Sequence, residues 1–145
     1  MTEYKKIYKR FLKRIDDPLL PNFPEEDQEE ILFELLEDAI SLLDGQLEHS
    51  LAKNDIVKCF EENLSQFEIR IISMQMAIDW LEPFLNTPLL LNQVYGTKEE
   101  KFYSQANHLE AIQARSESMK TELSNLICSK GYSILYNEYN KKNRL

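Results

Sequence analysis

The sequence contains few of the residues that interrupt helices. Among 145 residues there are only three glycines and five prolines, while leucine, glutamate, lysine and isoleucine are abundant, which favours helices over sheets. Cysteine is scarce too. Cys59 and Cys128 lie far apart, and because no export signal is recognisable we expect two free thiols rather than a disulfide. A chain of this length predicts one domain with its own core.

Long apolar runs are missing as well. The most apolar segment, residues 67–84, is interrupted by four charged residues, so it falls short of the roughly 18 uncharged residues that a membrane span requires. The first residues lack the apolar stretch of a signal peptide. We therefore expect neither membrane insertion nor secretion.

The sequence offers no constellation for catalysis or metal binding. His49 and His108 are the only histidines, neither has a second ligand four residues on, and no Cys-x-x-Cys is present, so a zinc site is not expected. The scattered glycines form no phosphate-binding loop. Acidic doublets such as Glu99-Glu100 are typical of solvated helix ends rather than of a general acid and base. We predict no enzymatic activity, no metal and no cofactor.

Positive charge is absent from a long part of the chain. The net charge is −8, yet residues 1–15 carry six cationic residues against one glutamate, and residues 15–52 hold twelve acidic residues without a lysine or arginine. Such asymmetry affects association rather than fold. It indicates either solvated helix faces or a subunit whose middle repels polyanions while its basic ends bind acidic partners. Specific nucleic-acid recognition is a weaker alternative, because the sequence contains no DNA-reading motif.

Apolar periodicity predicts two helices in the first third of the chain. Residues 3–15 keep the i, i+3, i+4, i+7 spacing of one apolar face, with Thr2 as a candidate N-cap. The second helix begins near Glu25, and Gly45 is suited to a left-handed stop. Residues 46–64 have a mixed pattern that fits a short helix or an extended segment, and we assign them only as a connector.

Two further helices form the predicted centre of the fold. The third begins at a capping box of Ser65 and Glu68, ends or kinks at Pro83, and is apolar on almost every side, so other helices must surround it. The fourth covers residues 97–129, and a helix of roughly 30 residues spans about 45 Å, longer than a small bundle needs. The predicted structural core includes Phe67, Ile71, Met76, Trp80, Leu81, Phe102 and Leu109.

The last residues form a predicted arm. Gly131 is expected to end the fourth helix, and the following residues are β-branched and aromatic before a basic end. The arm either folds back on its own domain or is held for a partner, by strand addition or pocket insertion. We predict an all-α fold, a small bundle of about four helices over residues 1–131 with an extended docking arm over 132–145. Its binding residues are predicted to be Tyr132, Ile134, Leu135, Tyr136 and Tyr139.

Several sequence blocks share their order and spacing with one protein family. The blocks are Phe60-Glu61-Glu62-Asn63-Leu64-Ser65, Phe67-Glu68-Ile69 leading to Met76 and Trp80-Leu81-Glu82-Pro83, then Tyr95-Gly96-Thr97-Lys98-Glu99 and Phe102-Tyr103-Ser104-Gln105-Ala106-Asn107-His108-Leu109. Over these blocks the chain resembles the small head–tail connector proteins of tailed bacteriophages, also called adaptor, neck or head-completion proteins. The first 55 residues match that family only loosely.

The resemblance implies a structural role in the virion. Connector proteins of this kind assemble as a twelve-fold ring beneath the portal vertex. Their C-terminal segment commonly reaches into the portal protein, and their opposite face accepts a stopper or tail-completion protein. It implies a neck protein, made in the host cytoplasm, whose ring encloses the channel for double-stranded DNA. The alternative is an acidic helical interaction module, for instance a phage regulator that binds a host protein through its second helix.

Overall fold

The fold is a bundle in which one central helix packs against the other three. The computed structural model describes residues 1–15, 24–85 and 99–143, with side chains except at 84, 85, 99–109, 132 and 134. The predicted all-α bundle of four helices is confirmed, and its last helix is long. The helices are α1 (Tyr4–Arg14), α2 (Glu25–Leu43), α3 (Gln66–Leu85) and α4 (Glu99–Asn143).

The core lies where α3 meets its three neighbours. Within α3, Ile71, Ile72, Met74 and Met76 are completely buried. Because successive positions of a helix point in different directions, burial at these positions means that α3 is enclosed on nearly all sides. The neighbouring helices complete the core with buried residues Tyr4, Ile7 and Phe11 of α1, Leu32, Leu36, Ala39 and Leu43 of α2, and Met119 and Leu123 of α4.

Three of the predicted core residues are buried. Ile71 and Met76 are fully enclosed, and Leu81 is exposed over only 9% of its surface. Their burial follows from the apolar character of α3, which was the basis of the prediction. The side chains of Phe102 and Leu109 lie outside the described residues.

Phe67 and Trp80 occupy the edge of the core. Both pack against buried residues while remaining partly exposed. Trp80 lies edge-on to Phe11, with ring centroids 6.4 Å apart, and the Lys130 ammonium lies 5.7 Å from the centroid of the Phe67 ring. We therefore expect Trp80→Ala to cost less than the roughly 3–5 kcal/mol typical of a fully buried aromatic residue.

The beginning of α1 differs from the prediction. Glu3 is the N-cap residue, and its side chain makes no capping hydrogen bond. Thr2 lies instead in a short strand, β1 (Thr2–Glu3). Its hydroxyl donates to the Glu62 carbonyl at 3.1 Å and accepts the Leu64 N–H at 2.9 Å. The predicted Thr2 cap was wrong because distant backbone groups, rather than the first turn of α1, use this hydroxyl.

The connector between α2 and α3 contains a hairpin that sequence analysis did not resolve. Strands β2 (Lys53–Asn54) and β3 (Cys59–Phe60) pair antiparallel, and β1 adds to the other edge of β3. A strand of two residues is too short to show the alternation by which strands are recognised in a sequence. Phe60 is fully buried, so the sheet fixes the connector against the core.

The ends of α2 and α3 largely follow the predicted signals. α2 begins at Glu25 and ends at Leu43. Gly45 then adopts a φ of +79°, the left-handed conformation that glycine accepts without strain. α3 continues through Pro83 to Leu85, and the residues that follow lie outside the described part.

The long helix α4 contradicts the predicted break at Gly131. It runs from Glu99 to Asn143 over 45 residues, about 67 Å at 1.5 Å per residue. A glycine inside a helix costs only about 1 kcal/mol relative to alanine, and a helix already nucleated on one side propagates past a single unfavourable residue. The predicted extended arm is therefore helical as far as residue 143.

Replacing Gly131 with alanine is expected to slow amide hydrogen exchange in residues 132–140 by about fivefold. The change adds about 1 kcal/mol of helix propensity, and nothing lies within 4 Å of a Cβ at this position. Exchange measured by mass spectrometry tests this, with Gly45→Ala as a control that leaves exchange in these residues unchanged. Unchanged exchange in Gly131→Ala would contradict a helix that continues past residue 131.

Candidate assembly surfaces

The C-terminal end of α4 projects beyond the bundle. Arg70 of α3 pairs with Glu122 of α4 at 2.7 Å, and Phe67 of α3 lies beneath Lys130, so the two helices run antiparallel. α3 begins at residue 66. Residues 131–143, which we name the α4 arm, therefore extend about 20 Å past the beginning of α3.

The α4 arm exposes large apolar side chains. Leu135, Tyr136 and Tyr139 are 63%, 67% and 66% exposed, and their i, i+1, i+4 spacing places them on one side of the helix. The side chains of Tyr132 and Ile134 lie outside the described residues. A contiguous exposed apolar patch is typical of an interaction site. Because the arm is a helix, it lacks the extended backbone that strand addition requires.

The hairpin tip carries a second exposed apolar pair. Ile56 and Val57 are 93% and 53% exposed, in the turn between β2 and β3. The turn is held by Asn54, whose Oδ1 accepts the Ile56 N–H at 3.0 Å, and by Tyr4, whose hydroxyl donates to Asp55 Oδ1 at 2.6 Å. The tip is therefore a small exposed apolar patch on a well-anchored hairpin.

The outer side of α1 is a row of lysines. Lys6, Lys9 and Lys13 are exposed and follow i, i+3, i+7 spacing, so they share one side of the helix. Their ammonium groups form no hydrogen bond or ion pair with any residue of the described part. By contrast Arg10, on the flank of α1, donates to Gln66 Oε1 at 3.1 Å. We name the three lysines the α1 lysine face.

Two acidic residues of α2 are already paired with the hairpin. Glu37 Oε1 lies 2.6 Å from Lys53 Nζ, and Glu29 forms an ion pair with Lys58. These contacts lie on the flank of α2 that faces the hairpin. Because residues 15–52 contain no lysine or arginine, the opposite flank of α2 has no cation of its own.

A groove with acidic walls lies between that opposite flank of α2 and the end of α3. We name it the acidic groove. Asp79, in its wall, accepts a hydrogen bond from Gln75 Nε2 at 3.1 Å through Oδ1, whereas its Oδ2 is buried with no hydrogen-bond partner in the described part of the chain. The groove is lined by Leu35, Asp38, Ser41, Leu42, Asp79, Glu82 and Pro83.

Electrostatics in the groove favour a positively charged neighbour. Burial raises the pKa of Asp79, and the nearby charges of Glu82 and Asp38 raise it further. The Gln75 hydrogen bond and the charge of Lys120 act in the opposite direction without cancelling this shift. A cation entering the groove would reduce the repulsion among these three carboxylates.

A buried carboxylate joins the connector to the beginning of α3. Glu68 is 2% exposed, and it accepts N–H groups from Ser65 and from His49, each at 3.0 Å. The Ser65 hydroxyl accepts the Glu68 N–H at 3.1 Å, which confirms the predicted capping box. The His49 ring lies close by, with Nδ1 2.5 Å from Glu68 Oε1. The cap could be predicted from the sequence, whereas the histidine partner could not, since 19 residues separate His49 from Glu68.

The two groups shift each other's pKa. The hydrogen bond to Glu68 and its charge raise the pKa of His49, and the charges of Glu48 and Glu62 add to this. Burial alone would raise the pKa of Glu68, but the N–H groups of Ser65 and His49 together with the His49 ring hold it below its usual value. The pair is therefore an ion pair at mildly acidic pH.

The stability that His49 adds is expected to depend on pH. Because folding raises the His49 pKa, its contribution is complete below about pH 6.5 and is lost as the pH rises through the folded value. Because folding lowers the Glu68 pKa, its contribution is present above about pH 4.5 and is lost as the pH falls through the folded value. Urea unfolding across pH should show the largest difference between wild type and His49→Gln inside this window. A difference that does not vary with pH would contradict the pairing.

The described part of the chain holds no further recognisable site. Among residues 1–15, 24–85 and 99–143, no group of three histidines, cysteines or carboxylates is placed to hold a metal ion. No helix in these ranges combines the length and apolar character needed to cross a membrane. Cys59 is partly buried and Cys128 is exposed, and both are free thiols as predicted.

Comparisons of the chain with protein-family profiles, with curated proteins and with solved structures found no significant match. A functional assignment therefore depends on the sequence blocks and on the surfaces described above. Those surfaces are the α4 arm, the hairpin tip, the α1 lysine face and the acidic groove.

Proposed function

We propose that this protein is a structural subunit of a bacteriophage neck, forming a ring of about twelve copies between the portal vertex and the tail. The single observation that carries the proposal is the α4 arm. It is helical, none of its described side chains is buried, and it exposes Leu135, Tyr136 and Tyr139 on one side. Such a projecting helix is marginal in water by itself and gains stability when a partner covers its apolar side.

The portal protein is the partner proposed for the α4 arm. The resemblance to connector proteins supports this assignment, because their C-terminal segment commonly reaches into the portal. The helical arm would insert its apolar side into a groove of the portal protein. The opposite end of the subunit would then face a stopper or tail-completion protein.

The charge distribution supports a role as a conduit for double-stranded DNA. The net charge is −8, and the long segment around α2 contains no lysine or arginine. Acidic walls repel phosphates, so DNA would slide along such a channel without binding to it. The ring would assemble in the host cytoplasm and remain in the neck of the virion.

Binding to portal-bearing heads tests this proposal. Heads that carry the portal but lack the neck would be mixed with the full-length protein and separated on a density gradient. Comigration that saturates near twelve copies per head is expected. The absence of comigration with heads, at concentrations where the protein is folded, would contradict the proposal.

One observation favours an alternative function. The acidic groove, lined by Asp38, Asp79 and Glu82, could receive a basic segment of a host protein, as in an acidic regulator. Such a regulator would not comigrate with heads. The same gradient therefore separates the two functions.

A further inference from the structure

The α1 lysine face and the acidic groove are complementary in charge and in spacing. Lys6, Lys9 and Lys13 follow i, i+3, i+7 spacing along α1, and the groove residues Leu35, Asp38 and Leu42 follow the same spacing along α2. Rows with this spacing lie along one side of a helix, so two such helices can pack side by side. The lysine face supplies only cations, and every charged residue that lines the groove is a carboxylate.

The α1 lysine face and the acidic groove cannot form ion pairs with each other within one chain. The lysines lie on the side of α1 that is opposite its buried residues, whereas the groove lies on the flank of α2 that faces away from the hairpin. The two lysines of the hairpin already form ion pairs outside the groove, Lys53 with Glu37 and Lys58 with Glu29. Lys120 influences Asp79 through its charge, but among the described residues it forms no ion pair with that carboxylate.

We propose that the acidic groove of one copy receives the α1 lysine face of a second copy. This inference rests on the proposed ring and names the contact between its neighbouring subunits. A lysine ammonium in the groove offsets the repulsion among the carboxylates of Asp38, Asp79 and Glu82, which line it. The exposed side chains of Leu12 on α1 and Leu42 on α2 lie beside the charged groups and add apolar contact.

The geometry of this contact determines the kind of assembly. When a copy uses its two different surfaces on two different neighbours, the contact is heterologous. Repetition of such a contact produces a ring when the rotation closes and an open filament when it does not. The α4 arm takes no part in the contact and stays available for the portal.

Site-specific photo-crosslinking tests the contact directly. A benzophenone amino acid replaces Leu42, which is exposed beside the groove, and isotopically labelled and unlabelled copies of the full chain are mixed and irradiated. Mass spectrometry is expected to find mixed-isotope crosslinks from position 42 to α1 peptides. Lys9→Glu with Lys13→Glu should reduce these crosslinks by about tenfold, because like charges then face the groove.

Two matched variants complete the experiment. Lys141→Glu with Lys142→Glu changes the net charge equally but lies in the α4 arm, and it should leave the crosslinks intact. Asp38→Lys with Glu82→Lys reverses the charge of the groove. A copy that carries these two substitutions and benzophenone at position 42 should regain crosslinks to the Lys9→Glu, Lys13→Glu protein. If crosslinks return when both surfaces are reversed, the loss of crosslinks in the Lys9→Glu, Lys13→Glu protein is due to lost charge pairing and not to a folding defect.

Three outcomes would overturn the inference. An absence of mixed-isotope crosslinks between position 42 and α1 would exclude the second copy as occupant. Crosslinks lost only in the Lys141→Glu, Lys142→Glu protein would make the α4 arm the occupant. Salt-sensitive DNA retention lost in the α1 variant, with crosslinks unchanged, would assign the lysine face to DNA. If the predicted crosslinks form but the protein does not comigrate with heads, the contact stands and the proposed neck function fails.

Discussion

Deleting residues 132–145 is expected to leave a folded bundle that no longer attaches to portal-bearing heads. None of the described side chains of the α4 arm is buried, so the core keeps every buried residue that the structure describes. The deletion removes Leu135, Tyr136 and Tyr139, and large aromatic and aliphatic anchors of this kind supply most of the energy of an interface. We therefore expect the affinity for heads to fall by at least about a hundredfold.

The experiment measures comigration of the truncated protein with heads on a density gradient, together with its thermal unfolding. Ile56→Ala with Val57→Ala is the matched control, because it removes exposed apolar surface from the hairpin tip and should leave attachment unchanged. Normal attachment of the truncated protein would show that the arm assignment is wrong. A large fall in unfolding temperature would show instead that the arm stabilises the bundle.

Phe11→Ala is expected to lower the free energy of unfolding by about 3–5 kcal/mol, the usual cost of removing a buried aromatic side chain. Phe11 is completely buried and lies edge-on to Trp80 at the junction of α1 and α3. Alanine favours the helix more than phenylalanine does, which offsets only about 0.5 kcal/mol of this loss. Small domains are stable by about 5–15 kcal/mol, so a large part of the stability depends on this one ring.

Leu12→Ala is the matched control for this prediction. Leu12 is the next residue on the same helix, but 43% of its surface is exposed, and a surface substitution of this kind changes stability by about 0.5 kcal/mol or less. Urea unfolding of both variants measures the difference. Equal losses for the two substitutions would mean that α1 does not bury Phe11 against α3.

Helices with strong periodicity or a clear cap could be predicted from the sequence. α1 and α2 each have an apolar stripe, and α3 begins at the capping box of Ser65 and Glu68. In each case the signal lies within a few neighbouring residues, so a local pattern is enough to identify it. The left-handed conformation of Gly45 could be predicted in the same way, because it depends on the residue's own backbone and not on distant contacts.

The errors arose where distant or competing interactions decide the structure. Thr2 was wrongly assigned as a helix cap because its hydroxyl bonds the chain near residues 62–64, about 60 residues away. Gly131 was wrongly assigned as a helix end because the cost of one glycine is small compared with the continuity of a long helix. The strands of the hairpin were too short for any periodic pattern.

The surfaces were predicted in part. The composition of the arm indicated a segment that either folds back on its own domain or is held for a partner. The structure leaves Leu135, Tyr136 and Tyr139 exposed on one side of a helix. The extended conformation predicted for it was wrong. The acidic groove could not be predicted, because it combines residues of α2 and α3 that are about 40 positions apart. The long run without cations was its only sequence signal.

Cryo-electron microscopy of heads mixed with the purified full-length protein tests the central proposal most directly. We expect a ring of about twelve-fold symmetry beneath the portal, with the α4 arm of each copy inserted into the portal protein and a channel wide enough for double-stranded DNA. Heads that show no additional ring density, although the protein is folded and present in excess, would contradict the assignment as a neck subunit.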